Sequence, residues 1–194
     1  MFVLSVHQHH IQFLFGTRIA DHLLRINPSI QVPNMSIPEN YTLTILGAGV
    51  MGSAVLSAVL KSKPAPFPGK IYCCTGSEGS AKRLQEQYGD AIETTFGTGN
   101  MKPVEEADVI ILGCKPFMCQ TVVDSVKTAL SSDKIVISLL AGWTINQLSG
   151  ALGTEYIARV MTNTPAKYGC GTAVVSFSDE LRGEKYAGVR DAVM

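Results

Sequence analysis

Thr42-Leu43-Thr44-Ile45-Leu46-Gly47-Ala48-Gly49-Val50-Met51-Gly52 is the stretch on which the reading of this 194-residue chain turns. Five apolar or β-branched residues run into a Gly-x-Gly-x-x-Gly turn. The residues that follow put Val50, Ala54, Val55, Ala58 and Val59 at helical spacing. A glycine motif between a strand and a helix marks a dinucleotide-binding turn far better than the motif alone. Gly47 permits the tight turn, Gly49 lets a pyrophosphate approach the backbone, and Gly52 lets helix and strand pack closely. The helix start offers free N–H groups and a partial positive charge to phosphate. Gly47, Ala48, Gly49, Val50, Met51 and Gly52 are therefore candidate cofactor-binding residues.

Outward from this unit the same alternation repeats. Residues 69–75 read as a second strand, 78–88 as a helix stopped by Gly89, and 91–96 as a short strand. Residues 107–114 and 134–142 read as almost wholly apolar strands. The helix between them carries Val122, Val123, Val126 and Leu130 on one face. Residues 155–162 and 171–177 are further strands, and a helix begins at Asp179. Strands apolar on both faces, alternating with amphipathic helices, predict an α/β fold: a Rossmann-like, doubly wound, mainly parallel sheet with helices on both faces. Ligands in such folds sit beyond the carboxyl ends of the strands.

Composition narrows the chemistry. Lys plus Arg and Asp plus Glu both number 16, so the chain lacks the basic excess that nucleic acid or anionic membrane binding needs. No apolar run approaches the ~18 residues of a membrane span. All four histidines lie within the first 22 residues, which leaves the domain without a His for triad or metal chemistry. The five cysteines have no zinc spacing and read as free, mostly buried thiols of a reducing, cytoplasmic compartment; no metal is expected.

Other candidates sit at strand ends. The second strand ends Cys74-Thr75-Gly76-Ser77, without the acid that would read an NAD ribose. Its small hydroxyls, Thr75 and Ser77, suit a 2′-phosphate, and Lys82 and Arg83 follow, so the charge pattern favours NADP(H). Glu78 dissents unless it serves the coming helix. Cys114, Lys115 and Pro116 end one apolar strand, and Leu140, Ala141 and Gly142 end the next. Asn163, after the 155–162 strand, offers both a donor and an acceptor toward a substrate.

From about Thr42 onward the chain resembles the pyrroline-5-carboxylate reductases. The likeness rests on ILGAGVMG, on the CKP of ILGCKPF, on ISLLAGWTI and on RVMTNTPAKYGCGTAV, of which MTNTP is the most specific. The resemblance implies that the glycine turn, Thr75, Asn100, Cys114-Lys115-Pro116 and Leu140-Ala141-Gly142 line an NADP(H) site. Leu140 stands where relatives more often carry Ala. It further implies NADPH-dependent reduction of 1-pyrroline-5-carboxylate, a small-molecule substrate, to proline. Relatives form homo-oligomers through a helical domain whose Gly-Ser-Gly-Pro and Pro-Gly-Gly segments are absent here. Hydride transfer to a protonated cyclic imine needs no strong base, which suits the missing histidines.

Residues 1–40 are expected to form a disordered extension, 41–178 the dinucleotide-binding domain, and 179–194 the start of a helix leading toward a further helical domain. That helix is expected to leave Leu181, Tyr186, Val189 and Val193 exposed. Two other readings stay open: a non-catalytic NADP-binding module, and another small NADP-dependent oxidoreductase of the coenzyme F420 or hydroxyacid type.

Overall fold

In a computed structural model the chain is described over residues 2–5, 37–163, 165 and 171–193. The strands are β1 (Phe2–Ser5), β2 (Thr42–Leu46), β3 (Lys70–Thr75), β4 (Glu93–Phe96), β5 (Val109–Leu112), β6 (Ile135–Ser138), β7 (Ile157–Thr162) and β8 (Thr172–Phe177). They form one sheet in the order β4-β3-β2-β5-β6-β7-β8-β1. The first six run parallel; β8 is antiparallel to β7, and β1 to β8. The chain starts its first parallel strand at β2, builds outward to β4, then crosses back to β5. The crevice at this reversal, between β2 and β5, is where doubly wound folds bind ligands.

The helices are α1 (Val50–Ser62), α2 (Glu78–Tyr88), α3 (Met101–Glu106), α4 (Cys119–Val126), α5 (Ile145–Leu152), α6 (Asp179–Arg182) and α7 (Ala187–Val193). The central strands are buried on both faces, because adjacent residues of each strand feed two separate cores. Ile45, Cys73 and Ile111 pack with Leu56 of α1, while Leu46, Cys74, Ile110 and Leu112 pack with Val123 and Val126 of α4 and Leu148 of α5. Each fully buried Leu or Ile contributes roughly 1.5–3 kcal/mol. Thr44, the one hydroxyl buried inside β2, donates to the Pro103 carbonyl at 2.7 Å, which removes its desolvation cost.

Two elements depart from the sequence reading. Part of the expected disordered extension joins the fold: Phe2–Ser5 pairs with Thr172–Val175, and Ile37 is buried in the first core. A bare β8 edge offers a row of unpaired backbone groups, and β1 covers it. The rest of that extension, residues 6–36, lies outside the described residues. The expected continuous helix from Asp179 is broken at Gly183, whose extended backbone separates α6 from a 3-10 turn and α7. This break turns the segment back onto the sheet, so Leu181, Tyr186 and Val189 are buried rather than exposed. Val193 has no described side-chain placement.

Helices α3 and α5 were not anticipated, and of the two α5 has the clearer local signal. Thr144 caps it by accepting from the Gln147 N–H, and the Gln147 side chain accepts from the Thr144 N–H. This reciprocal Thr-x-x-Gln pattern was readable in the sequence. Among the described residues no helix is long and apolar enough to cross a membrane, and no three His, Cys, Asp or Glu side chains gather to hold a metal.

Candidate functional site: a glycine cradle at the strand ends

The glycine turn is built by backbone alone. The N–H groups of Gly47 and Ala48 both reach the Cys74 carbonyl at 3.0 Å, tying the turn to the end of β3. Gly47 has φ +93°, and an added Cβ would meet the Cys114 nitrogen at 2.4 Å. A Cβ on Gly52 would meet the Gly47 carbonyl oxygen at 2.7 Å and Ile45 at 3.0 Å. Around Gly49, by contrast, nothing lies within 4 Å of that position. The first and last glycines are thus demanded by packing, and the middle one opens outward. Gly49 is the N-cap of α1, with no side chain capping the helix and no acid in its first turn. Its start therefore keeps unspent N–H groups and positive potential directed outward.

Gly113 was not singled out as a site residue. A Cβ there would lie 2.9 Å from the Gly47 oxygen and 3.3 Å from the Gly52 Cα. Three glycines from two segments therefore interlock, and only the fold brings them together.

The expected residues lie along one edge, at or just beyond the carboxyl ends of β2, β3, β4, β5, β6 and β7. Their side chains do different work there. Ala48 is buried, Met51 is half-buried and Val50 is 79% exposed beside the turn. Thr75 is buried, its hydroxyl shared between the Ser77 and Thr95 carbonyls at 2.9 and 3.1 Å, so it shapes the corner rather than facing a ligand. Ser77 is exposed and caps α2, accepting from the Ser80 N–H. Arg83 donates to the Ser80 hydroxyl at 3.1 Å and to the Gly79 carbonyl at 3.3 Å, which holds its guanidinium at the same corner. Lys82 is exposed on α2, and Glu78 occupies the helix's first turn, where its charge suits the dipole.

Asn100 is buried and braces the corner. Its Nδ2 donates to the Thr75 carbonyl at 3.0 Å, and its Oδ1 accepts from the Thr95 hydroxyl at 2.8 Å. Lys115 and Pro116 are exposed beyond β5, and the Pro116 carbonyl accepts from the Trp143 indole N–H at 3.1 Å. That bond joins the ends of β5 and β6. Leu140 is 1% exposed with its side chain in the second core, so only its backbone can line the crevice. Ala141 and Gly142 are exposed, and Gly142 takes φ +78°. Asn163 accepts from the Thr172 N–H at 3.1 Å, linking the end of β7 to the start of β8. Thr164 and residues 166–170, which include part of the MTNTP segment, lie outside the described residues.

Among the described residues four thiols stand in two places. Cys73 and Cys74 are buried neighbours, and burial pushes their thiols up to about 12 and about 11. Cys114 is half-buried at the end of β5, where a hydrogen bond from Cys119 holds its thiol below the ordinary value. The same bond, then burial, pushes Cys119 up.

The chain is 41% identical to a pyrroline-5-carboxylate reductase of Kluyveromyces lactis over 168 residues, covering 80% of this chain and 58% of the relative. It is 33% identical to the Escherichia coli pyrroline-5-carboxylate reductase over 133 residues, covering 68% and 47%. The chain thus spans about half the length of the curated relatives it matches. A Plasmodium falciparum pyrroline carboxylate reductase solved with NADP bound has a similar fold, with TM-score 0.62 and 24% identity over 79% of this chain and 54% of that one. The model of the family described as "NADP oxidoreductase coenzyme F420-dependent" matches residues 42–142, from the first strand of the cradle to the glycine that ends the β6 loop. With just over half of its residues in that match, and with the interlocked glycines in place, the chain belongs to this NADP oxidoreductase family.

Proposed function

We propose that the chain binds NADP(H) in the glycine cradle and forms the cofactor-binding part of an enzyme that reduces 1-pyrroline-5-carboxylate to proline. The observation that carries the reading is the 41% identity to a pyrroline-5-carboxylate reductase over 168 residues, which extends beyond the cradle. The open Gly49 position and the uncapped start of α1 suit a pyrophosphate. The Ser77–Ser80–Arg83 corner, with no acid at the end of β3, suits a 2′-phosphate, and Asn100 positions that corner through Thr75. Ala141 and Gly142 let a flat nicotinamide lie close to backbone, and Asn163 would border its substrate side.

When bound, the cofactor supplies the hydride. The chain's own residues would orient it: the glycine turn would hold the phosphates, and the Pro116–Trp143 bond ties together the two loops at the ends of β5 and β6 that would border the ring. A protonated imine is already electrophilic, so holding the ring against it in a water-poor crevice is the main demand on the protein. A cytoplasmic setting and homo-oligomeric assembly are part of the same reading.

Trp143, the chain's single tryptophan, is a built-in reporter at the site. NADPH should quench its emission with higher affinity than NADH. Equal affinities would remove the 2′-phosphate argument, and Arg83→Ala should narrow the preference. Oxidation of NADPH with pyrroline-5-carboxylate tests the reaction: binding without turnover would make this chain a cofactor module alone.

A further inference from the structure

We propose that the outer edge of β8 is a self-association surface that takes β8 of a second copy of this chain, and that Phe2–Ser5 is a guard strand that blocks it. The inference does not rest on the NADP(H) reading above, because β6 and β7 stand between this edge and the cradle at β2 and β5.

The parallel sheet and its β7–β8 hairpin end in two unlike edges. At one end β4 is four residues long and carries Glu93, whose carboxylate pairs with Lys70 at 3.2 Å. Shortness and charge are the usual protections of an edge strand. At the other end β8 has six residues, Thr172-Ala173-Val174-Val175-Ser176-Phe177, with no charge, proline or glycine among them. Val175 and Phe177 are buried in the first core, which anchors the strand. β7 takes one side of its backbone in unbroken register, from Thr162 opposite Ala173 to Ala158 opposite Phe177. The other side is a template for a further strand, and an uncharged run rich in β-branched residues suits such pairing.

Phe2–Ser5 shows the geometry that this edge accepts. It pairs antiparallel, from Phe2 opposite Val175 to Ser5 opposite Thr172, and leaves Ser176 and Phe177 uncovered. Five strand steps separate β1 from β2, about 24 Å at ~4.8 Å each. Residues 6–36 join β1 to Ile37, and a chain of that length reaches up to ~100 Å when extended. The connection therefore permits β1 to sit on the edge without forcing it there. A pairing of four residues is marginal by itself, whereas β8 is fixed by β7 and by the core. The guard is the displaceable member.

A second copy's β8 fits the same edge with a longer ladder, six residues against six. An antiparallel strand pair has a two-fold axis normal to the sheet, so β8 complements itself and the contact closes at two copies. Full overlap puts that axis at Val174 or Val175, in the middle of the strand. No like charges meet across it, because β8 carries none.

The test compares the full chain with one lacking Phe2–Ser5, by light scattering after gel filtration and by amide hydrogen exchange over a dilution series. The expected result is a mass for the shortened chain twice that of the full chain. The outward amides of Thr172–Val175 should be protected in both, and released in the shortened chain on dilution. Val3→Pro with Leu4→Pro removes the ladder donor whichever of the two faces β8. That full-length variant should double its mass as well, which separates lost pairing from lost chain. Val174→Lys in the shortened chain sets two like charges beside the axis. It should return the mass to that of the full chain, with circular dichroism confirming the fold; if it unfolds, the dilution series decides alone. A shortened chain that keeps the full chain's mass would overturn the proposal, as would open-ended aggregation with no doubled mass. A doubled mass with freely exchanging β8 amides would place the contact elsewhere and overturn it too. A full chain whose mass Val174→Lys halves would overturn the guarding role of β1.

Discussion

Gly47 and Cys114 pack backbone to backbone: a Cβ on Gly47 would lie 2.4 Å from the Cys114 nitrogen, on a residue already held at φ +93°. Gly47→Ala therefore combines a steric clash with left-handed strain and should cost at least about 2 kcal/mol in urea unfolding. Gly49→Val meets open space, so it should change stability by less than about 1 kcal/mol. It should still weaken NADPH binding at least about tenfold, a loss of ~1.4 kcal/mol, by closing the pyrophosphate approach. If the two variants behaved alike in both measurements, the division between packing and ligand glycines would be wrong.

Asn100→Ala removes the donor to the buried Thr75 carbonyl and the acceptor for Thr95. One unpaired buried group costs about 1–3 kcal/mol, and a loss of that size is expected in thermal or urea unfolding. NADPH affinity should fall with it, because the Thr75–Ser77 corner loses its brace. Unchanged stability would mean that solvent replaces both bonds.

Lys134 is 7% exposed, and its ammonium donates to the Glu105 and Ala107 carbonyls at 2.8 and 2.9 Å. It closes the end of α3 at the amino edge of the sheet, away from the cradle. Lys134→Met keeps the apolar stem and removes both charge-assisted bonds, for an expected loss of about 2–4 kcal/mol. NADPH affinity measured below the unfolding range should stay the same; a large affinity change with little loss of stability would contradict this assignment.

Alkaline stability should report on Cys73. Its folded thiol is pushed up to about 12 by burial and by the neighbouring Cys74, from an ordinary value of 9.0. Below about pH 9 both folded and unfolded thiols keep the proton, and Cys73 adds no pH dependence. Above that, the unfolded thiol ionises first, so the unfolded state binds fewer protons and stability falls as pH rises toward 12. Urea unfolding between about pH 8 and pH 11 should show a shallower decline for Cys73→Ala than for the unchanged chain. Parallel slopes would show that the buried thiol does not contribute.

What the sequence determined by itself is local and periodic. Val50–Ser62 and Glu78–Tyr88 form as the residue patterns predict, and the glycine turn sits between strand and helix. These features follow from side-chain spacing, capping and backbone freedom within about 15 residues, which are written directly in the chain. Even the missed helix α5 carried its signal in Thr144 and Gln147.

What only the tertiary structure decided joins residues far apart. Leu140 ends a strand in the sequence, but the second core takes its side chain and leaves only backbone for the crevice. Thr75 and Asn100 looked like ligand groups, yet they bond each other across 25 positions because β3 and β4 pair. The burial of Leu181, Tyr186 and Val189 and the pairing of Phe2–Ser5 with β8 likewise depend on a finished sheet offering a face and an edge. Gly113 became a cradle residue only when β2 and β5 lay side by side. Its lack of a Cβ matters because the Gly47 carbonyl oxygen is there, and no spacing rule within one segment encodes a clash with another.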